Sequence, residues 1–492
     1  MDKIKKSALI LFNCFLIVPL LLIGILPIKA QSKKPKNILF ICVDDLRPEL
    51  KSFGISYIKS PNIDKLAATG RPFFRHYVNA PSCGPSRAAM LTGVYGPYGN
   101  EALFERANYL KTFPKNVNPT LPEWFRNNGY TTVSVGKVSH HPGGLGGDDW
   151  NDPNIIEMPN AWDRNIMPVG EWEHPRGAMH GLANGEIRVK QSDMAVFQSA
   201  ESPNDSYPDD LIAKEGIKQL EMLANDKSKP FFLVVGLLKP HLPFGAPKKY
   251  YDLYRNVNLP PIFSPQKPKG PSTWFNSAEF MNYNRWGKNP NIDTAFATEV
   301  RKHYAACVSY ADAQVGLILK KLKDTGADKN TIVVLWGDHG WNLGEHQIWG
   351  KHNLYEEALR SPLIVKYPSM PAPGKAANGI IETIDIFPTL CELTNITKPA
   401  FLQGQSFKNM LVNPNIEGHF AYAYTGNAST VRTPKYRFTL HNNGDEELYD
   451  ETTAERESLN IAKENQNITK ELKILLVNRL KLRKNYEVKT PK

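Results

Sequence analysis

The chain has 492 residues, 41% of them hydrophobic and 22% charged, with a formal net charge of +11. This mixture is that of a globular protein long enough for one large core and a smaller satellite domain, and without repeats or low-complexity tracts it excludes solenoid and fibrous architectures. The basic surplus favours anionic partners, yet no basic helix with interleaved aromatics and no zinc-finger spacing accompanies it, so no nucleic-acid partner is expected.

The N-terminus has a positive start at Lys3, Lys5 and Lys6, then an apolar run from Ala8 to Ile28 and a small residue for cleavage at Ala30. This predicts a signal peptide over residues 1–30, a periplasmic or secreted mature chain, and no membrane attachment after cleavage. The run is long for a leader, so an uncleaved anchor is the alternative. Beyond it lie Cys42, Cys83, Cys307 and Cys391. Four scattered cysteines in so large an exported chain are not a disulfide scaffold. Three fall in apolar strand-like or helix-like runs and read as buried thiols, whereas Cys83 sits among polar turn residues.

Asn37–Val43 is a continuous apolar run, as expected of a strand covered on both faces, and Asp44 and Asp45 follow at its end. Residues Asn62–Gly70 predict a short helix stopped by glycine, and Pro122–Asn128 another. Thr131–Val135 reads as a strand, Asp209–Leu223 as a helix and Pro230–Gly236 as a buried strand. A long amphipathic helix over Glu299–Asp324 leads into the strand Thr331–Trp336, followed by Gly337, Asp338 and His339. Strands and helices alternate, with polar residues just past the strand ends. That predicts an α/β sandwich with a mostly parallel sheet and a site along its C-terminal edge. Residues 141–208 show little periodicity and read as binding loops; Gly143–Gly147 lacks the Lys-Ser/Thr and helix of a phosphate cradle. From Ser429 the texture changes to short antiparallel strands (Thr430–Arg432, Lys435–Leu440, Glu447–Asp450) and a helix over Lys463–Leu482. The expected organisation is a catalytic domain over 31–427 and a small α+β subdomain over 428–492.

The sharpest motif is Cys83-Gly-Pro-Ser-Arg87, continued by Leu91-Thr-Gly93. Pro85 pre-sets a helix start, so Cys83 lies where free N–H groups favour an anion. Arg87, four residues on, shares its face and offers a planar fork for oxyanions. Asp44-Asp45 and Asp338-His339 each end a buried strand. Either pair alone could be a cap or turn; together, three carboxylates with little sulfur suit a hard cation. Lys137 and His140, Lys239-Pro-His241-Leu-Pro, and Lys351 add cations and imidazoles after other strands. His241 between two prolines is well held for proton transfer. Gly340, Gly344 and His346 are expected to shape their loop.

On these motifs the sequence resembles the type I, formylglycine-dependent sulfatases of the alkaline phosphatase superfamily, over nearly the whole mature chain. The resemblance implies an alkaline-phosphatase-like sandwich with a small C-terminal antiparallel sheet. It implies that a maturase oxidises Cys83 to formylglycine, whose hydrate is the nucleophile. Asp44, Asp45, Asp338, His339 and position 83 would hold a divalent ion, Ca²⁺ with Mg²⁺ as the alternative; His339 stands where Asn is common. Arg87, Lys137, His241 and Lys351 would contact the sulfate, with His241 as general acid and His140, rather than adjacent His141, beside the nucleophile. Asp45-Leu-Arg47-Pro, Asp338-His-Gly-Trp-Asn-Leu-Gly-Glu-His and Val431-Arg-Thr-Pro-Lys-Tyr-Arg resemble the iduronate-2-sulfatase branch, implying a 2-O-sulfated uronate in a sulfated saccharide. Two alternatives stand beside this: a phosphonate or phosphate monoester hydrolase of the same superfamily, and a non-catalytic sulfated-glycan binder with Cys83 unmodified.

Overall fold

The computed structural model describes residues 36–114, 117–141, 156–201, 206–453 and 456–483; the leader and the Gly143–Gly147 loop lie outside them. Seven strands form the main sheet. In chain order they are β1 (Asn37–Val43), β2 (Arg71–Phe73), β3 (Thr131–Gly136), β4 (Arg164–Ile166), β5 (Phe231–Leu237), β6 (Thr331–Gly337) and β7 (Leu363–Lys366). They lie in the order β2-β7-β6-β1-β5-β3-β4. Strand β1 is parallel to both β5 and β6, and β3 to both β5 and β4. Only β7 runs antiparallel, against β6 and β2.

Helices α1 (Pro61–Thr69), α2 (Cys83–Thr92), α3 (Leu121–Asn127), α4 (Pro208–Asn225), α5 (Thr294–Asp324) and α6 (Ile386–Thr394) alternate with these strands. The two-residue period of β1 divides the core. Leu39, Ile41 and Val43 pack with apolar residues of α1, α4 and α5. Ile38, Phe40 and Cys42 pack on the other face with α2, α3 and α6. Burial on both faces is why the strands read as unbroken apolar runs rather than alternating ones. The mostly parallel sandwich expected from the sequence is the observed architecture, and Cys42, Cys83, Cys307 and Cys391 are all buried free thiols.

A second sheet, antiparallel, is built from β8 (Ala421–Tyr424), β9 (Ala428–Arg432), β10 (Tyr436–His441) and β11 (Glu446–Asp450) in sequential order. Tyr422, Val431, Phe438 and Leu448 pack there with Leu472 and Leu476 of helix α7 (Gln466–Leu480). The structure adds to the sequence pattern the short main-sheet strands β2, β4 and β7, of which β4 lies in the stretch read as binding loops, and it moves several element ends. Strand β8 precedes the first antiparallel strand expected, and α5 begins at Thr294 because Asp293 caps it, its side chain accepting from the Phe296 N–H at 2.9 Å.

Candidate active site

Parallel strands that end together bring their following residues together. The amide of Asp44 donates to the Leu237 carbonyl at 3.2 Å and that of Asp338 to the Val43 carbonyl at 3.3 Å, so both residues prolong the ladder past β1 and β6. Asp45 turns away with φ of 57°, a left-handed conformation that aspartate tolerates. Its amide donates to Asp338 Oδ1 at 2.9 Å, and its carbonyl accepts from Tyr304 of α5 at 2.7 Å.

Cys83 opens α2 over this strand edge and is 2% exposed. Its Sγ lies 3.3 Å from Asp44 Oδ1, 3.2 Å from His339 Nε2 and 3.2 Å from Lys351 Nζ. Arg87 is expected from its spacing to grip an oxyanion, but its fork is filled by the protein. Nε donates to Asp338 Oδ2 at 2.9 Å, Nη2 to Asp44 Oδ1 at 3.2 Å, and Nη1 to the carbonyls of Lys137 and Val138. Lys137 reaches Asp44 Oδ2 from the end of β3. Lys351 Nζ bonds Asp45 Oδ1 at 2.9 Å. Beyond β5, Asp209 accepts from the amides of Leu238 and Lys239 at 2.7 and 2.8 Å and so holds the loop that carries His241.

The electrostatics follow from crowding buried charges. Burial raises the Asp44 carboxyl, but Lys137, His241 and Arg87 together hold it well below the usual carboxylate range. Burial drives Asp45 well above that range against the pull of Lys351. Burial and the Asp44 charge push Asp338 up to about 7. Burial and the same carboxylate raise the Cys83 thiol, and a thiol kept protonated is a poor nucleophile. Burial together with Lys351 keeps His339 neutral, and burial with Lys137 does so for His140. His241 is depressed by burial and Lys351.

The residues fit a divalent cation. Ligand atoms of Asp44, Cys83, Asp338 and His339 lie within 4.8 Å of one another, as do those of Asp44, Asp45, Cys83 and His241. Asp45 Oδ2 is buried without a hydrogen-bond partner. His339 gives its Nδ1 hydrogen to the Gly340 carbonyl at 2.9 Å, which leaves the Nε2 lone pair facing Asp45 and Cys83. Three buried carboxylates that cannot all ionise comfortably need added positive charge.

Of the residues expected at the site, Asp44, Asp45, Cys83, Arg87, Lys137, Asp338, His339 and Lys351 are joined by direct contacts. The Asp44 and Lys351 charges both bear on His140, whereas His141 pairs with Glu101 at 3.3 Å and packs its ring against Phe104. Asp209, which holds the His241 loop, and Glu279, whose Oε1 lies 3.3 Å from Lys351 Nζ, also touch the site without having been signalled. Neither lies in a motif, and a lone acidic residue in sequence looks like any solvated one.

Strand-end carboxylates beneath a helix N-terminus, at the C-terminal edge of a mostly parallel sheet, make this the candidate active site of an α/β enzyme. The sulfatase family model matches residues 36–396, and the model of the N-sulphoglucosamine sulphohydrolase C-terminal region matches 344–484. The chain belongs to the sulfatase family and is a sulfuric ester hydrolase. It is 30% identical to a sulfatase of Formosa agariphila over 88% of this chain and 84% of that one. It is 31% identical to the iduronate 2-sulfatase of Homo sapiens over 78% of this chain and 74% of that one. In fold it is similar to a phosphonate monoester hydrolase of Agrobacterium radiobacter, with a TM-score of 0.70 and 20% identity, covering 90% of this chain and 95% of that one. A protein solved with its substrate D-glucosamine-2-N,6-O-disulfate gives a TM-score of 0.70 at 23% identity, covering 93% and 99%. No helix among the described residues is long and apolar enough to cross a membrane.

Proposed function

We propose that this sulfatase removes 2-O-sulfate from uronic acid residues of a sulfated glycan, in the periplasm or outside the cell, with Cys83 oxidised to formylglycine. The observation that carries the chemistry is the environment of Cys83 Sγ, within 3.3 Å of Asp44, His339 and Lys351 and over the end of β1. Support for the substrate is the resemblance to iduronate 2-sulfatases, 31% for the human enzyme and 32% for the mouse one. Catalysis is read as belonging to the main sandwich, with the antiparallel sheet and α7 as a supporting subdomain whose boundary falls before β8 rather than at the expected 427/428, since β8 pairs with β9.

Position 83, once an aldehyde, supplies a hydrate with two hydroxyls, one to attack sulfur and one whose deprotonation lets sulfate leave. Asp44, Asp45, Asp338 and His339 would hold the cation, Ca²⁺ or Mg²⁺, which supplies Lewis acidity toward an oxygen nucleophile. Lys137 and Lys351, both buried and paired with Asp44 and Asp45, offset negative charge on the sulfuryl oxygens. Arg87 acts by fixing Asp44 and Asp338 rather than by gripping substrate. His241 is read as the proton donor to the leaving alcohol; with its Nδ1 hydrogen on the Leu242 carbonyl at 2.5 Å, it donates through Nε2 only in the imidazolium form. His140, on the Asp44 side, accepts the proton whose loss releases sulfate.

The test is desulfation of defined disaccharides with Cys83→Ala as control. Release from a 2-O-sulfated uronate and from no 6-O- or N-sulfated counterpart is expected; preference for another position would overturn the substrate. Peptide mass spectrometry should show a loss of about 18 Da at position 83; an unmodified thiol in protein from the native host would favour a glycan binder. The structural similarity to a phosphonate monoester hydrolase makes an aryl phosphonate the necessary parallel substrate, and a faster rate on it would favour that activity.

A further inference from the structure

Part of the stretch that reads as binding loops folds back over the His241 side of the site. Residues Phe197–Gln198 pair in parallel with Phe244–Gly245, just past His241. The Asn284 amide donates to the Met194 carbonyl and the Val196 amide to the Asn284 carbonyl, both at 3.0 Å. Gln191 Nε2 donates to the carbonyl of Glu279, whose own carboxylate lies 3.3 Å from Lys351 Nζ. The Trp349 amide donates to Ser277 Oγ at 2.8 Å and so fastens the Glu279 segment to the strand that leads into Lys351. The His180 ring packs on the His241 ring with centroids 5.5 Å apart. The loop from 180 to 198 is therefore tied both to the His241 loop and to the segment 279–284.

Arg188 sits in this loop, half-buried. Its Nη1 donates to Tyr283 Oη at 2.9 Å, and its Cζ lies 5.7 Å from the centre of that ring. Tyr283 is buried, so the guanidinium is held by a fixed phenol. Burial, and after it the Arg188 charge, holds His180 well below its ordinary value, which sets the cation beside the ring that covers His241. Among the described residues no carboxylate pairs with Arg188, and its Nε and Nη2 meet no acceptor. The fork of Arg87, by contrast, is spent on the protein's own oxygens. A fork fixed at one nitrogen and open at the others is prepared for a carboxylate.

We infer that Arg188 is a specificity-determining residue that binds the carboxylate of the substrate's uronic acid, with Tyr283 fixing its fork. The inference rests on the uronate reading given above. In a six-membered uronate ring the carbon that bears the carboxyl stands across the ring from C2. The group that binds the carboxylate therefore belongs beyond the side chains that touch Cys83. Lys351 and Glu279 lead outward from Cys83 to the segment that carries Tyr283, and His241 and His180 lead outward to the loop that carries Arg188. Arg188 stands where the two paths meet. A permanent cation there separates a uronate from a hexose, whose hydroxymethyl group is neutral and leaves the fork unfilled.

The experiment compares wild-type enzyme, Arg188→Met and Arg188→Lys, each with position 83 modified to the same extent. The substrates are a disaccharide with a 2-O-sulfated uronate and its carboxyl-reduced counterpart, in which a hydroxymethyl group replaces the carboxylate. Wild type should favour the uronate by about 10–100-fold in kcat/KM, the range of one charge-assisted contact. Arg188→Met should lose that factor on the uronate, mostly through KM, and stay within about threefold of wild type on the reduced sugar. Arg188→Lys should regain part of the loss, since it keeps the charge without the fork. Equal losses on both substrates, or none on either, would overturn the inference and leave the uronate reading standing. Wild-type enzyme that releases no 2-O-sulfate from the uronate would instead remove that reading, and the inference with it. Matching thermal unfolding of the variants ties the kinetic change to recognition rather than to misfolding.

Discussion

Replacing His419 by glutamine isolates the titration of a half-buried imidazole set against the buried carboxylates of Glu382 and Asp385. His419 Nε2 lies 2.7 Å from Asp385 Oδ2, its Nδ1 faces the Phe420 carbonyl at 2.8 Å and Glu382 Oε2 at 3.7 Å. Asp385 is the hub of this corner, also accepting from the amides of Glu382 and Gln405 at 2.7 Å each. Burial opposes charge on the imidazole, but Asp385 and Glu382 outweigh it and carry its pKa up to about 9. A rise of that size above the ordinary value is worth about 2–3 kcal/mol once the partial exposure of the ring is allowed for. The folded pKa lies above the unfolded one. The stabilisation is therefore complete below about pH 6.5 and disappears as pH climbs through about 9. Glu382, raised to about 7 by burial despite His419, weakens the fold in the same direction, so only the difference between variants is diagnostic. Urea unfolding of wild type and His419→Gln at about pH 6 and about pH 9.5 makes the comparison. The variant should be less stable by about 2–3 kcal/mol at the lower pH, with the gap nearly closed at the higher. A gap that is constant, or that widens with pH, would refute the reasoning.

Arg87→Met should strand two buried carboxylates, costing about 3–5 kcal/mol in chemical denaturation and abolishing sulfate release; a loss under about 1 kcal/mol would contradict the account of the fork. Chelation should stop turnover and lower the unfolding midpoint together, and re-added Ca²⁺ at about 100 times its dissociation constant should restore about 2.7 kcal/mol, read by calorimetry. Gly236→Ala would set a Cβ 1.9 Å from the Lys137 carbonyl oxygen and 2.2 Å from its carbon, both backbone atoms. Displacing Lys137 in this way should lower kcat/KM by at least about tenfold in a sulfate-release assay. His140→Ala should lower kcat by about 10²–10⁴-fold while His141→Ala stays within about tenfold, measured on one disaccharide; the reverse order would exchange their roles.

Four strands of the main sheet were legible because they are covered on both faces, which leaves unbroken apolar runs such as Asn37–Val43 ending in carboxylates; Arg71–Phe73, Arg164–Ile166 and Leu363–Lys366, of three or four residues each, are too short to show a period. Strand β8 was not, since Ala421-Tyr-Ala-Tyr424 alternates small and aromatic residues rather than apolar and polar ones. Helix α5 starts early because one capping side chain, Asp293, decides its first turn. At the site, spacing alone placed Arg87 on the face of Cys83, but no spacing reveals which acceptors fill a guanidinium. Glu279 was illegible for a related reason. Its meaning comes from Trp349, 70 positions away, and a four-residue helix has no period to announce it.

Asp44 and Asp338 each extend the ladder of a central strand by one amide hydrogen bond. The active site consequently has no hinge of its own, and its persistence in time is that of the sheet. The amide hydrogens at these two positions should exchange with solvent only when the ends of β1, β5 and β6 part. Between residues 156 and 201, by contrast, the main ladder is joined by β4 alone among the described residues, at the sheet's edge and through its pairing with β3.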